Sequence, residues 1–204
     1  MYKAFIFDRS GTLSDNFHSF CQVCTLLFKE QGKGPISDDE VRATFTLPYM
    51  KFWNAHLPDL SIEKQNELYE KYIHQVDEAD IYPGVAEMII LLHERGWKIF
   101  ILSSDPVSKL IIETEKSGLS TLFTKIIGKV HEKWKVIISL LQEFDLNKEQ
   151  TFYVGDTSGD VEAGKFAEVK TIGITWWFQH KNLLAESQPD FMIDDIIEIK
   201  KIID

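Results

Sequence analysis

The chain opens on a short run, Lys3–Phe7, dominated by aromatic and β-branched residues, and this pattern predicts a strand. From Ser14 to Ala79 apolar residues recur at helical spacing instead, with no intervening strand pattern. Phe17, Phe20, Cys21, Cys24, Leu27 and Phe28 share one face of a helix over Ser14–Glu30, closed by Gly32 and Gly34. Ser37-Asp38-Asp39-Glu40 has the form of a capping box that opens a second helix. Leu47-Pro48 breaks the pattern, Met50–Leu57 predicts a short third helix, and a longer one runs from Ser61 through Val76.

At Tyr82 the rhythm changes to alternating helix and strand. Pro83-Gly84 opens a helix with Val85, Met88, Ile89 and Leu92 on one face, ending at Gly96. Strands are predicted at Trp97–Leu102, Lys125–Ile127, Thr151–Val154, Lys170–Ile174 and Phe191–Ile193. Asp105-Pro106 reads as a cap followed by a proline at the first helical position, and that helix ends near Gly118. Further helices are predicted near Glu132–Phe144, Asp160–Ala167, Lys181–Glu186 and Ile196–Ile202. Such alternation implies an α/β fold with a mostly parallel sheet covered by helices on both faces. The expected organisation is a discontinuous core, residues 1–13 and 81–204, interrupted by an all-helical insertion, residues 14–80.

The 204 residues carry 22 basic and 32 acidic side chains, a formal net charge of −10. That balance argues against nucleic acid or an anionic membrane as partner, since both select basic faces. No apolar run approaches the roughly 20 residues of a bilayer span, and Met1–Asp8 lacks the features of a signal peptide. A cytoplasmic protein is expected. The two cysteines, Cys21 and Cys24, lie on a helical face and read as core packing rather than as a metal or redox site.

In parallel α/β sheets, ligands bind beyond the carboxyl ends of the strands. Four segments occupy such positions: Asp8-Arg9-Ser10-Gly11-Thr12, Ser103-Ser104-Asp105, Lys129-Val130-His131-Glu132-Lys133 and Gly155-Asp156-Thr157-Ser158-Gly159-Asp160. Taken singly each has a structural explanation as a turn, a cap or a surface charge. Their joint occurrence in this order does not.

Asp8-x-x-Gly11-Thr12, Ser103, Lys133 and Gly155-Asp156-x-x-x-Asp160 resemble the four motifs of the haloacid dehalogenase-like (HAD) superfamily of phosphohydrolases. The insertion after the first motif is similar to the helical cap of its phosphoglycolate-phosphatase-like branch. The resemblance spans essentially the whole chain. It implies a Rossmann-like core with an inserted helical cap, and a Mg²⁺-dependent enzyme acting on a small phosphorylated metabolite through an aspartyl-phosphate. Asp8 would be the nucleophile. Asp8, the Ser10 carbonyl and Asp156 would hold the metal, with Asp160 as a further ligand or a supporting carboxylate. Ser103, with Gly11, Thr12 and Ser104, would bind the substrate phosphoryl group, and Lys133 would offset its charge. Lys129 and Lys135 compete for the role of Lys133, which is favoured because it directly precedes a helical face.

One position departs from the family pattern. The residue two after the nucleophile is ordinarily a second aspartate, the general acid and base, and here it is Ser10. A hydroxyl is a poor proton donor near neutral pH, and general acid–base catalysis is typically worth 10²–10⁴-fold. Slow or restricted turnover is therefore expected, or a substituted acid/base such as His18 or His56. Alternatives are a non-catalytic, regulatory phosphate-binding protein and a phosphonoacetaldehyde-hydrolase-like phosphonatase using Lys51, with dehalogenation the weakest. Leu47, Lys51 and Trp53 are candidates to face substrate from the cap, and Trp176-Trp177-Phe178 is a candidate cleft wall more simply read as packing. The protein is expected to be a monomer or homodimer.

Overall fold

The computed structural model describes residues 1–46, 49–76, 79–176 and 179–204. Six parallel strands form one sheet: β1 (Tyr2–Phe7), β2 (Lys98–Leu102), β3 (Lys125–Ile127), β4 (Leu146–Gly155), β5 (Lys170–Ile174) and β6 (Phe191–Ile193). Their spatial order is β3-β2-β1-β4-β5-β6. The chain thus winds in one direction from β1 to β3 and in the other from β4 to β6, and the order reverses between β1 and β4. Ligands of open α/β sheets bind at that crevice.

The period of two along the strands separates two cores. Phe5 and Phe7 of β1 join Ile99, Ile101 and Val154 on one face, beneath α5 (Val85–Glu94) and α6 (Val107–Lys116). Ala4 and Ile6 join Phe100, Leu102 and Tyr153 on the other, beneath α7 (Lys133–Glu143) and α8 (Ser158–Phe166). Burial on both faces explains why these strands read as continuous apolar runs. The C-terminal helices are α9 (Lys181–Glu186) and α10 (Ile199–Ile203); the latter follows a 3₁₀ turn at Ile196–Glu198 where the pattern predicts one continuous helix.

Between β1 and α5 lie α1 (Phe17–Glu30), α2 (Asp38–Thr44), α3 (Met50–His56) and α4 (Ile62–Ile73). They share a core of their own, including Phe20, Leu27, Phe52, Trp53 and Leu68. Cys21 and Cys24 are buried in it as free thiols. Burial pushes the Cys21 thiol up to about 12 and Cys24 well above its ordinary value, so neither supplies a thiolate near neutral pH. The expected break at Leu47-Pro48, and Leu47 as a substrate-facing residue, lie outside the described residues. Among the described residues no helix is long and apolar enough to cross a membrane.

Three local expectations are corrected. β4 begins at Leu146, not Thr151, because Leu146 pairs with Tyr2 before the register shifts and Thr151 pairs with Ala4. The intervening polar residues are excess chain accommodated at a bulge. Secondly, α8 begins at Ser158, capped by a reciprocal Thr157–Asp160 box, so Asp160 lies inside its first turn. Finally, α6 starts at Val107, and Asp105 does not cap it.

The end of β4 is packed too tightly for any side chain at Gly155. A Cβ there would lie 2.4 Å from Cβ and 2.5 Å from Cγ of Asp160. Gly155→Ala is therefore expected to displace Asp160 and to destabilise by about 1–3 kcal/mol through overpacking. Thermal denaturation checks this, with a fall in Tm of about 2–4 °C per kcal/mol for a chain of this size.

Candidate active site

The loop after β1 is held by its own hydrogen bonds. Asp8 donates its amide to the Val154 carbonyl at 2.8 Å, which ties the end of β1 to β4. Gly11 adopts φ 77°, a left-handed turn that glycine enters without steric cost. Its N–H donates to Asn16 Oδ1 at 2.9 Å, and the Thr12 hydroxyl donates to Asp156 Oδ1 at 3.3 Å. Gly11 and Thr12 are buried in the loop and do not line the main clefts. Arg9 is buried as well, with Nη2 3.1 Å from Glu113 Oε2 on α6. This internal ion pair fastens the loop from below, and sequence reasoning missed it.

Asp8 and Asp156 immediately follow the adjacent strands β1 and β4, and Asp160 stands one helical turn beyond. One carboxylate oxygen from each lies within 4.8 Å of the others. Lys133, the first residue of α7, is buried among them, with Nζ 3.0 Å from Asp8 Oδ1 and 2.7 Å from Asp160 Oδ1. The competing lysines are elsewhere: Lys129 pairs with Glu70 and Lys135 with Glu132, both at the surface.

Three carboxylates around one ammonium leave an excess of negative charge in a desolvated site. Burial raises the Asp8 carboxyl to about 7, opposed by Lys133 and reinforced by Asp160. Burial, then Asp160 and Asp8, hold Asp156 well above the carboxylate range. For Lys133 burial acts downward, but Asp160 and Asp8 outweigh it and hold the ammonium above its usual value.

Asp156 Oδ2 is buried without a hydrogen-bond partner. An orphaned carboxylate oxygen in an all-oxygen donor set that carries surplus negative charge fits a hard divalent cation such as Mg²⁺. Asp160 differs. Its Oδ1 accepts from Lys133 and from the Tyr153 hydroxyl at 2.8 Å, and its Oδ2 from the Thr157 amide and hydroxyl at 3.2 and 2.6 Å. Both oxygens are engaged by these donors, and Asp160 thereby holds Lys133 in place.

Ser103 follows β2, is buried, and accepts the Asp105 amide at 3.1 Å, leaving its own proton to donate. The Ser10 hydroxyl donates to Asp105 Oδ2 at 2.5 Å. Asp105 also accepts from the Tyr69 hydroxyl of α4 at 3.1 Å and from Lys109 at 3.2 Å. Burial acts upward on Asp105, but Lys109 and the hydrogen bonds from Ser10 and Tyr69 prevail, so its carboxyl sits below the ordinary range.

A cleft of about 420 Å³ lies above this group, with Ser10, Ser104 and Asp105 at its base and Tyr49, Trp53 and Tyr69 among its walls. A smaller groove of about 260 Å³ contains Lys51, His131 and Lys133. His131 borders both. His18 and His56 border neither: His18 contacts Gln22, and His56 contacts Thr44 and Glu40. Trp176 packs edge-on against Tyr82 in the core, with ring centroids 5.9 Å apart, rather than walling the cleft; Trp177 and Phe178 lie outside the described residues.

The family model of haloacid dehalogenase-like hydrolases matches residues 5–174, which include all four motif segments. The chain belongs to the haloacid dehalogenase-like hydrolases. Curated relatives match it over nearly their full length. A phosphoglycolate phosphatase from Vibrio cholerae is 27% identical, the alignment covering 95% of this chain and 93% of the relative. Pyrophosphatase PpaX from Listeria welshimeri is 30% identical, with 97% and 94% covered. Among solved structures, a haloacid dehalogenase-like hydrolase from Streptococcus pneumoniae superposes with a TM-score of 0.86 at 24% identity, covering 100% of this chain and 99% of the other. That likeness shows the shared HAD fold, and the named phosphatases among the relatives make this chain an enzyme of the phosphatase kind.

Proposed function

We propose that the protein is a Mg²⁺-dependent phosphohydrolase acting on a small phosphorylated metabolite through an aspartyl-phosphate on Asp8. The observation that carries this reading is the buried Lys133, bridging Asp8 and Asp160 beside the partnerless Oδ2 of Asp156. Asp8, the Ser10 carbonyl and Asp156 would hold Mg²⁺, which would offset the excess charge and polarise a phosphoryl oxygen.

A carboxylate oxygen of Asp8 bonds to phosphorus while the ester P–O bond breaks, and the leaving oxygen departs with the electron pair and takes a proton from water. Water then attacks the phosphorus of the acyl phosphate, freeing the carboxylate and inorganic phosphate. Lys133 and the Ser103 hydroxyl stabilise the equatorial oxygens, whose charge is the main demand of such a transition state. Ser104, Gly11 and Thr12 complete the phosphoryl site, the last two by shaping the loop. Residues 14–80 act as a cap over the core, residues 1–13 and 81–204, excluding water. Ser10 supplies no carboxylic acid, and its proton is engaged with Asp105, so turnover favours leaving groups that need no protonation.

Acetyl phosphate and p-nitrophenyl phosphate are such substrates, and both are expected to be hydrolysed only with Mg²⁺. At about 100 times its Kd, Mg²⁺ adds about 2.7 kcal/mol of stability, a rise in Tm of about 5–10 °C. Asp156→Asn should abolish that rise. A metal-independent Tm together with metal-independent hydrolysis overturns the assignment.

A further inference from the structure

The cleft above Ser10 and Asp105 has a chemical character of its own. Glu63, Glu67 and Glu70 of α4 line it together with Asp105. Phe20, Phe45, Tyr49, Trp53 and Tyr69 supply an aromatic wall. The cations nearby are already engaged. Lys129, the lysine in the lining, is 2.7 Å from Glu70; Lys64 is 2.7 Å from Glu67; Lys109 is 3.2 Å from Asp105. His131 is the other basic residue of the lining, and Lys51 lies in the neighbouring groove.

A leaving group that carries a carboxylate or a second phosphate finds no uncompensated cation among the described residues of this wall. It meets carboxylate oxygens, which only accept hydrogen bonds, in a protein of net charge −10. An ammonium group fits both features of the lining. Aromatic faces attract it through their quadrupole, and Glu63, which has no lysine against it among the described residues, attracts it by charge.

We propose that this cleft selects phosphomonoesters of alcohols bearing an amine or quaternary ammonium group, with the phosphoryl end on Asp8 and Lys133 and the cation against the α4 glutamates and the aromatic wall. The inference rests on the phosphohydrolase reading and narrows its substrate class. It sets this chain apart from the relatives named for phosphoglycolate and pyrophosphate, whose leaving groups are anionic.

The test compares kcat/KM for phosphocholine, glycerol 3-phosphate and 2-phosphoglycolate, with Mg²⁺-dependent acetyl phosphate hydrolysis run alongside. Phosphocholine is expected to exceed phosphoglycolate by about ten-fold or more, with glycerol 3-phosphate between them. Because Glu63, Glu67 and Glu70 are exposed, added salt should narrow the ratio. In Glu63→Gln/Glu67→Gln the ratio should fall several-fold, and in Glu67→Lys it should fall further or invert. Acetyl phosphate turnover combined with a preference for phosphoglycolate overturns this inference and leaves the phosphohydrolase reading standing. So does a ratio that none of these variants moves. Absence of acetyl phosphate turnover overturns both.

Discussion

Asp8→Asn should lower Mg²⁺-dependent hydrolysis of acetyl phosphate by about 10⁴-fold or more while leaving a folded protein. The rate loss follows from the role: an amide is not a nucleophile toward phosphorus, and a group that acts in concert with others removes most of catalysis when lost. Folding survives because the amide oxygen can still accept from Lys133 and from the Arg9 N–H, which bond to Asp8 Oδ1 in the parent. The pH dependence separates this from general damage. Burial raises the Asp8 carboxyl from 3.8 to about 7. Its neutral form therefore favours folding, a contribution fully present below 3.8 and lost as pH rises through about 7. Asparagine stays neutral throughout. In EDTA, the Tm of the variant relative to the parent should rise between pH 5 and pH 8. With Mg²⁺ present the parent should recover the advantage, since the cation stabilises the ionised carboxylate. A variant that keeps Mg²⁺-dependent turnover removes Asp8 from the chemistry.

The strand ends were legible because parallel strands buried on both faces read as apolar runs, and the polar residues directly after them stand out. That contrast locates Asp8 after Phe7 and Asp156 after Gly155. Lys133 could be preferred over Lys129 and Lys135 because it begins the buried face of α7. What a linear pattern does not carry is the partner of each group. Ser10 meets Asp105 across 95 positions, and Tyr69 reaches the same carboxylate from a helix of the inserted segment. Asp105-Pro106 has the form of a cap, and only the close approach of the β1 loop gives that side chain a different use. Arg9 and Glu113 pair inside the protein, where charge in a sequence suggests surface. Asp160 shows the same limit. Its spacing from Asp156 marks it as acidic and near, but only the structure shows Lys133, Tyr153 and Thr157 converging on its two oxygens.

The Ser10–Asp105 contact also governs how the missing acid can be restored. Ser10→Asp alone places a carboxylate against Asp105, whose Oδ2 is 2.5 Å from the Ser10 hydroxyl oxygen in the parent. Lys109 and Tyr69 hold Asp105 ionised. Two carboxylates at that separation cannot both ionise in place, so one takes up a proton or swings away. The single variant is therefore expected to gain less than about ten-fold. The exchange Ser10→Asp/Asp105→Ser keeps one carboxyl and one hydroxyl across the contact but moves the acid to the loop that carries Asp8. On alkyl phosphates, whose leaving oxygen must be protonated, it should gain on the order of 10²-fold, within the range general acid–base catalysis supplies. Acetyl phosphate needs little protonation and should change much less. The four proteins form a double-mutant cycle with strong positive coupling in kcat on alkyl phosphates. If instead the exchange leaves both substrates at parental rates, proton transfer is not what limits this enzyme, and the absence of a second aspartate is not its handicap.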